Sequence, residues 1–325
     1  MEFIRGLYNI KPHHRGCILT IGNFDGFHRG HQALLSKLQV IKNNLKLPIV
    51  VMIFEPYPKE YFSKKIKIRL TVLRDKISYL FYAGVDVILC IRFDKKFASI
   101  EAHNFIKNIL IYKLGAQLIC IGDDFRFGAF RKGDFILLKK IGKNAGFKVI
   151  RSVTHCDNQG VRISSTAIRT ALIENRILDA ELLLGHSYCV SGRVIHGDKL
   201  GRKIGVPTAN ISLQGKLLPI QGVYLVKVYG ILNIPLPGIA NIGVRPTILG
   251  KNQQQLEVHL LNVSINLYAY HIKVIFLKKI RDEQNFVSIK ILKNQITTDI
   301  IEARNYFNKK NNFNKFIKSE LLIND

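Results

Sequence analysis

The sequence predicts an α/β domain built on a doubly wound parallel sheet, followed by a small antiparallel β-barrel that carries a terminal helix. Three observations predict it. Apolar runs alternate with amphipathic helical patterns through the first half of the chain. That alternation stops near Gly185. Beyond it come strand-like runs in series, parted by Gly, Pro and Asn turns and without crossover helices. At 325 residues the chain is long for one compact core, and two domains are expected.

In the first half, CILTIG, PIVVMIFEP, VDVILCIRF, AQLICIGDDF and GFKVIRSV read as buried strands. Between them, HQALLSKLQVIKNNL, LRDKISYLFYAG, AHNFIKNILIYKLG and FILLKKIGKNAG place apolar residues near helical spacing. Right-handed crossovers then generate a parallel sheet, and ligands of such sheets lie beyond the strands' C-terminal ends. TIGNFDGFHRGH, IFEPYPKE and IGDDFRFG stand at three of those ends. The helical stretch SSTAIRTALIENRILDAELLLG closes this half, so the expected divisions are 1–185, 186–308 and a polar tail over 309–325. In the second half YCVSGRVIHG, GVYLVKVYG, LPGIANIG, QLEVHLLN and HIKVIFLKKI read as barrel strands, and FVSIKILKNQITTDIIEARNYF as a helix packed on them.

Composition narrows the function classes. Forty-nine Lys and Arg against 23 Asp and Glu give a net charge of +26, yet the basic residues are spread along the chain with no basic arm. That pattern suits a surface attracting anionic nucleotides better than a dedicated nucleic-acid interface. Five scattered cysteines without a C-x-x-C pair read as reduced, buried packing. No apolar run reaches membrane-span length, and the first residues lack a secretory pattern, so a cytoplasmic protein is expected.

The densest chemistry lies in TIGNFDGFHRGHQ. A strand, tight glycine turns and a helix starting near His28 create an anion site from free N–H groups and the helix dipole. His28 and His31, three apart, share one helix face and can both donate to a phosphate. Zinc would need further ligands that the spacing does not supply, and two plain surface histidines are the bland alternative. RISSTAIR offers Ser165, Thr166 and Arg169 at a second helix start, as triphosphate contacts or simply as a cap. Neither G-x-x-x-x-G-K-[ST] nor G-x-G-x-x-G occurs. In HGDKLGRKIGVPTAN, Thr208 and Asn210 project the same way if extended, as Mg²⁺ ligands or as part of a surface turn. Glu257, between apolar neighbours in LEVHLLN, is either a partly desolvated general base or a solvated strand residue.

The H-x-G-H element resembles the nucleotidyltransferase signature. Class I aminoacyl-tRNA synthetases share it but pair it with K-M-S-K-S, which is absent here. The ordered set TIGNFDGFHRGH, FEPYPKE, IGDDFRFG, RISSTAIR, LLGHSY, GRVIHGD, GRKIGVPTAN, GVYLVKV, ANIGVRPT, LEVHLLN and LKKIRDEQNF resembles the bacterial bifunctional riboflavin kinase/FMN adenylyltransferases. The resemblance implies a nucleotidyltransferase domain that turns FMN and ATP into FAD and pyrophosphate, and a barrel that phosphorylates riboflavin with ATP.

It further implies Glu257 as kinase base, with Thr208 and Asn210 holding Mg²⁺ and ATP beside Gly201 and Lys203. Arg245 and Arg281 fall near flavin and nucleotide. In the adenylyltransferase, Asn23, His28, His31, Ser165, Thr166 and Arg169 bind ATP, while Pro56, Pro58, Asp124, Phe125 and Arg126 line the flavin and nucleotide cleft. Riboflavin, FMN and ATP are the implied partners and Mg²⁺ the cofactor, for a monomer or weak oligomer without nucleic-acid or membrane partners. Three positions depart from the family pattern: Tyr57 stands where His is usual, GAFRKGD replaces a more basic run, and Val206 replaces Phe.

Overall fold

The computed structural model describes residues 1–63, 68–122, 124–153, 155–157, 160–197, 201, 204–246, 252–263 and 265–310. Lys203 and residues 311–325 of the expected tail lie outside them. The chain forms two compact units, Met1–Lys67 with Leu73–Ser165, and Ile68–Val72 with Thr166–Asp325.

The first unit holds a six-stranded parallel sheet. Its strands are β1 (Glu2–Arg5), β2 (Cys17–Ile21), β3 (Ile49–Glu55), β4 (Val87–Arg92), β5 (Ala116–Ile121) and β6 (Lys148–Arg151). They lie in the order β1-β4-β3-β2-β5-β6. All five expected strands are present. The sixth, β1, is a short edge strand whose single buried residue is Ile4. The central strands are apolar end to end because helices cover both sheet faces, producing separate buried clusters around Leu19 and Ile18. The crossovers include α1 (Arg29–Leu45), α2 (Pro58–Phe62), α3 (Leu73–Tyr82), α4 (Lys95–Ala98), α5 (Ala102–Asn104) and α6 (Phe135–Ala145). Helix α5 runs on as a π-helix over Phe105–Lys113. Chain order reverses between β2 and β5, which makes the loops after those strands the switch-point crevice.

Two helices, α7 (Ser165–Ile173) and α8 (Ile177–Leu184), precede the second sheet. Ile168, Ala171 and Leu172 share one α7 face and are buried in the same cluster as Val190, Ile211 and Tyr224 of the barrel. By packing, both helices therefore belong to the second unit, which takes up the chain again at Thr166.

The barrel closes in the order β10-β11-β8-β7-β12-β9. Its strands are β7 (Cys189–Ile195), β8 (Ala209–Ile211), β9 (Gly222–Tyr229), β10 (Leu236–Pro246), β11 (Asn252–Leu260) and β12 (His271–Arg281). Alternation splits each strand between two environments. Tyr224, Val226 and Val228 fill the interior, whereas Val223 and Leu225 meet Ala303 and Phe307 of the terminal helix α9 (Ile289–Lys310) on the outer face. That helix continues past Phe307, where the sequence turns polar. Four cysteines are buried and free, as expected, but Cys156 is exposed.

Candidate active sites

On the barrel, one cavity of ≈ 290 Å³ lies on the outer face beside α9. The pairing registers explain how it gathers polar groups. Glu257 on β11 faces Asn210 of β8 on one side and Asn241 of β10 on the other, so three adjacent strands aim their side chains the same way. Two residues along β11, His259 joins the same face. Thr208, just before β8, and Asn210 both line the cavity, as does Gly201. The Gly201 carbonyl accepts from Val206 N at 2.8 Å, and a Cβ on Gly201 would strike the Val206 carbonyl. Glu257 is partly buried.

Arg281, at the end of β12, completes the cavity wall. Its Nε donates to both carboxylate oxygens of Asp299 at 3.1 Å, and its Nη2 donates to Oδ2 at 2.9 Å. Asp299 lies on α9, is only 4% exposed, and also accepts from Gln295 at 2.9 Å. The fork is thus held rigidly and its charge is locally offset. His259 Nδ1 lies 2.8 Å from the Pro207 carbonyl. Burial, then the nearby Arg304, pulls its pKa below the usual histidine value despite that hydrogen bond. Asn241, His259 and Asp299 were not singled out from sequence; only the strand alternation beside Glu257 signalled the first two. Arg245 pairs with Gln253 in the β10–β11 ladder.

In the parallel-sheet unit, the loop after β2 carries left-handed backbone at Phe24, Gly26 and Phe27 before His28 caps α1. The rings of His28 and His31 stack with centroids 3.7 Å apart, and Phe24 lies 4.8 Å from His31 on centroids. Glycine at position 30 leaves room for this, since a Cβ would sit 3.2 Å from the His28 ring. Burial, followed by the charges of His28 and Lys76, drives the His31 pKa well below its ordinary value. His31 is therefore a neutral donor and acceptor rather than a cation. Its Nδ1 is buried without a hydrogen-bond partner, a feature that calls for a ligand or water. Ser165 Oγ donates to the Asp25 carbonyl at 2.8 Å, tying the RISSTAIR segment to the same loop.

Tyr57 has a definite task. Its hydroxyl donates to Asp25 Oδ1 at 3.1 Å and accepts from Nζ of the fully buried Lys76 at 2.7 Å. Pro56 and Pro58 flank it, Pro58 opening α2. Asp124 and Arg162 form an exposed pair at 3.5 Å, Arg126 donates to the Phe125 carbonyl, and Phe125 stacks on Phe127. Asn23 sits in the turn after β2. Thr166 and Arg169 belong to the second packing unit, where Arg169 Nε donates to the Ile68 carbonyl at 2.8 Å.

Glu2, His13 and His14 also bring donor atoms within 4.8 Å of one another. Lys11 N donates to His14 Nδ1 at 2.8 Å, which leaves the ring proton on Nε2, 2.8 Å from Glu2. With that nitrogen donating rather than offering a lone pair, the cluster is a hydrogen-bonded clasp. His14 accordingly lowers the Glu2 pKa.

Comparison with known proteins agrees with this two-part arrangement. The FAD synthetase family matches residues 10–167, and the riboflavin kinase family matches residues 184–307. The chain is 52% identical over 309 residues to the bifunctional riboflavin kinase/FMN adenylyltransferase of Escherichia coli (strain K12), covering 94% of this chain and 98% of that protein. It is 47% identical over 310 residues to the protein of the same description from Buchnera aphidicola subsp. Schizaphis graminum, covering 95% and 99%. A crystal structure described as a macrolide-efflux protein from Streptococcus pneumoniae superposes with a TM-score of 0.77 at 30% identity, over 93% of this chain and 99% of that one. Efflux is said of that protein; here, among the described residues, no helix is long and apolar enough to cross a membrane.

Proposed function

The chain belongs to the bifunctional riboflavin kinase/FMN adenylyltransferases, and on that premise we propose how its residues divide the two reactions. It makes FMN from riboflavin and ATP, and FAD from FMN and ATP. Residues 186–308 carry the first reaction, and residues 1–185 the second.

The observation that supports the kinase half is the single cavity lined by Gly201, Thr208, Asn210, Glu257 and Arg281. Riboflavin's 5′-hydroxyl attacks the γ-phosphorus of ATP, its proton passes to the Glu257 carboxylate, and ADP leaves. A carboxylate held on a strand within a cavity wall acts as a positioned general base, and little else covalent is required of the protein. Thr208 and Asn210 offer neutral oxygens on one face and would hold a Mg²⁺ ion, which would supply neutralisation of phosphate charge. Arg281, aligned by Asp299, presents its guanidinium edge to an anionic group with little reorganisation.

For adenylyl transfer, an FMN phosphate oxygen attacks the α-phosphorus of ATP and pyrophosphate departs. His31, held neutral, and His28, stacked on it at the start of α1, donate to the phosphates, and the helix N-terminus stabilises the developing charge. Asn23, Pro56, Pro58, Asp124, Phe125 and Arg126 form the nucleotide and flavin cleft, while Thr166 and Arg169 keep the triphosphate role their motif implies. Lys203 and Arg245 keep the nucleotide and flavin roles theirs implies. A monomeric or weakly associating cytoplasmic protein without a dedicated nucleic-acid surface is part of the same proposal.

A time course with riboflavin, ATP and Mg²⁺, resolved by chromatography, tests it. FMN should rise and give way to FAD. Glu257→Gln should stop FMN formation and leave FAD formation from added FMN intact. Loss of both activities with the fold retained would contradict separate sites.

A further inference from the structure

His259 lines the kinase cavity but has no part in the chemistry just derived. We propose that it is a positioning residue, whose Nδ1–H clamps the Pro207 carbonyl and so fixes Thr208 and Asn210 relative to Glu257. The proposal rests on the kinase reading of the barrel.

The need for such a clamp follows from where strand pairing stops. Strand β8 pairs with β11 through Leu256↔Ile211, Glu257↔Asn210 and Val258↔Ala209, and no further. The next step would set Thr208 opposite His259, but Pro207 beyond it has no N–H to continue a ladder. On its other side β8 pairs with β7 at Val194↔Ile211 and Ile195↔Asn210, and among the described residues the pairing does not reach Thr208. Thr208 thus leaves the barrel just where its oxygen must stay aimed into the cavity.

The His259 side chain replaces the missing backbone pair. A carbonyl oxygen only accepts, so at 2.8 Å the proton of this hydrogen bond is on Nδ1. Burial and Arg304 keep the ring neutral at pH 7, with Nε2 as acceptor. Protonation of Nε2 would leave the Nδ1–H in place, so the clamp holds in either state. Glu257 and His259 are two apart on β11, so one rigid strand carries both the base and the clamp. The expected consequence is a defect in ATP binding rather than in proton removal.

The test uses the full-length protein and three substitutions. In asparagine the amide nitrogen lies two bonds from Cβ, as Nδ1 does in histidine, whereas in glutamine it lies one bond farther. His259→Ala should raise the KM for ATP about tenfold, the scale of one hydrogen bond lost. It should leave the KM for riboflavin, the pH profile of kcat and FAD formation from added FMN unchanged. His259→Asn should restore most of the ATP affinity, and His259→Gln should resemble His259→Ala.

An unaltered KM for ATP in His259→Ala would overturn the proposal. So would a His259→Asn variant as impaired as His259→Ala, or an altered pH profile, which would make the ring an acid or base. If His259→Ala fails to fold, the contrast between the Asn and Gln variants decides the matter. A parent protein that makes no FMN is a different result: it overturns the kinase reading itself.

Discussion

Replacing Asp299 with Ala perturbs the kinase cavity from outside the reacting groups. The carboxylate accepts from Arg281 Nε and Nη2 and from Gln295, and it is 4% exposed. Its removal strands a guanidinium whose side chain is only 16% exposed. Breaking a buried ion pair by deleting one partner costs about 3–5 kcal/mol. Arg281 keeps its Nη1 contact to the Asp282 carbonyl, so a loss near the lower end, about 3 kcal/mol, is expected. Asp299→Asn keeps the shape and one acceptor oxygen and should lose about half as much.

Urea unfolding followed by circular dichroism reads the cost. The two packing units need not unfold together, so the curve is fitted as two steps and the cost is read from the step that Asp299→Ala moves. Arg281→Met in the Asp299→Ala background removes the stranded charge and should recover part of the stability, with a coupling well above the error of the cycle. An Asp299→Ala protein within about 0.5 kcal/mol of the parent would refute the reasoning, because that is the range of substitutions on an open surface. Strictly additive single and double variants would refute it too.

Three further outcomes follow from neighbouring geometry. A Cβ at Gly197 would land on the Asn210 side-chain amide, so Gly197→Ala should sharply reduce FMN formation, measured at saturating riboflavin; the clash falls on a movable side chain and should cost little thermal stability. His31 refuses the proton that an unfolded histidine takes near 6.5, so stability is intact above that pH and lost as pH falls below it. The loss from this site is at most about 1.4 kcal/mol per pH unit, and denaturation of His31→Gln between pH 5 and 7 should show a shallower acid limb. Tyr57→Phe removes the hydroxyl between Lys76 and Asp25 and should destabilise the first unit by about 1–3 kcal/mol, read as a lowered unfolding midpoint.

What could be read from sequence divides along the line between local and long-range information. Runs such as IVVMIF in β3 declare a buried strand because helices cover both faces of a parallel sheet. The four residues of β1 hold one buried side chain and carry no such signature; only pairing with β4 makes them a strand. The stretch NFIKNILIYK reads as an ordinary helix, and nothing in its spacing announces a π-helix. Motif residues were legible where they share a short segment, as His28 and His31 do. Asp299 was not, because one acid on an amphipathic helix reads as solvated until Arg281 is brought to it from 18 residues away.

The surplus of +26 explains less of either site than its size suggests. Buried Lys76 reaches Asp25 through the Tyr57 hydroxyl, and Arg281 is neutralised by Asp299. His31 is held neutral by its surroundings. Lys76 and Arg281 are thus offset by specific carboxylates, and His31 is stripped of its charge. What remains for binding is direction: N–H groups of fixed orientation, placed where regular backbone pairing gives out after β2 and before β8. Unpaired charge spread over the surface can hasten the arrival of an anionic nucleotide, but it cannot select one phosphate geometry over another. Preorganised donors can, because they pay no reorganisation when charge develops on the transferring group. The sites are therefore built by the ends of strands, and the composition that first suggests an anion-binding protein acts mainly before the substrate reaches them.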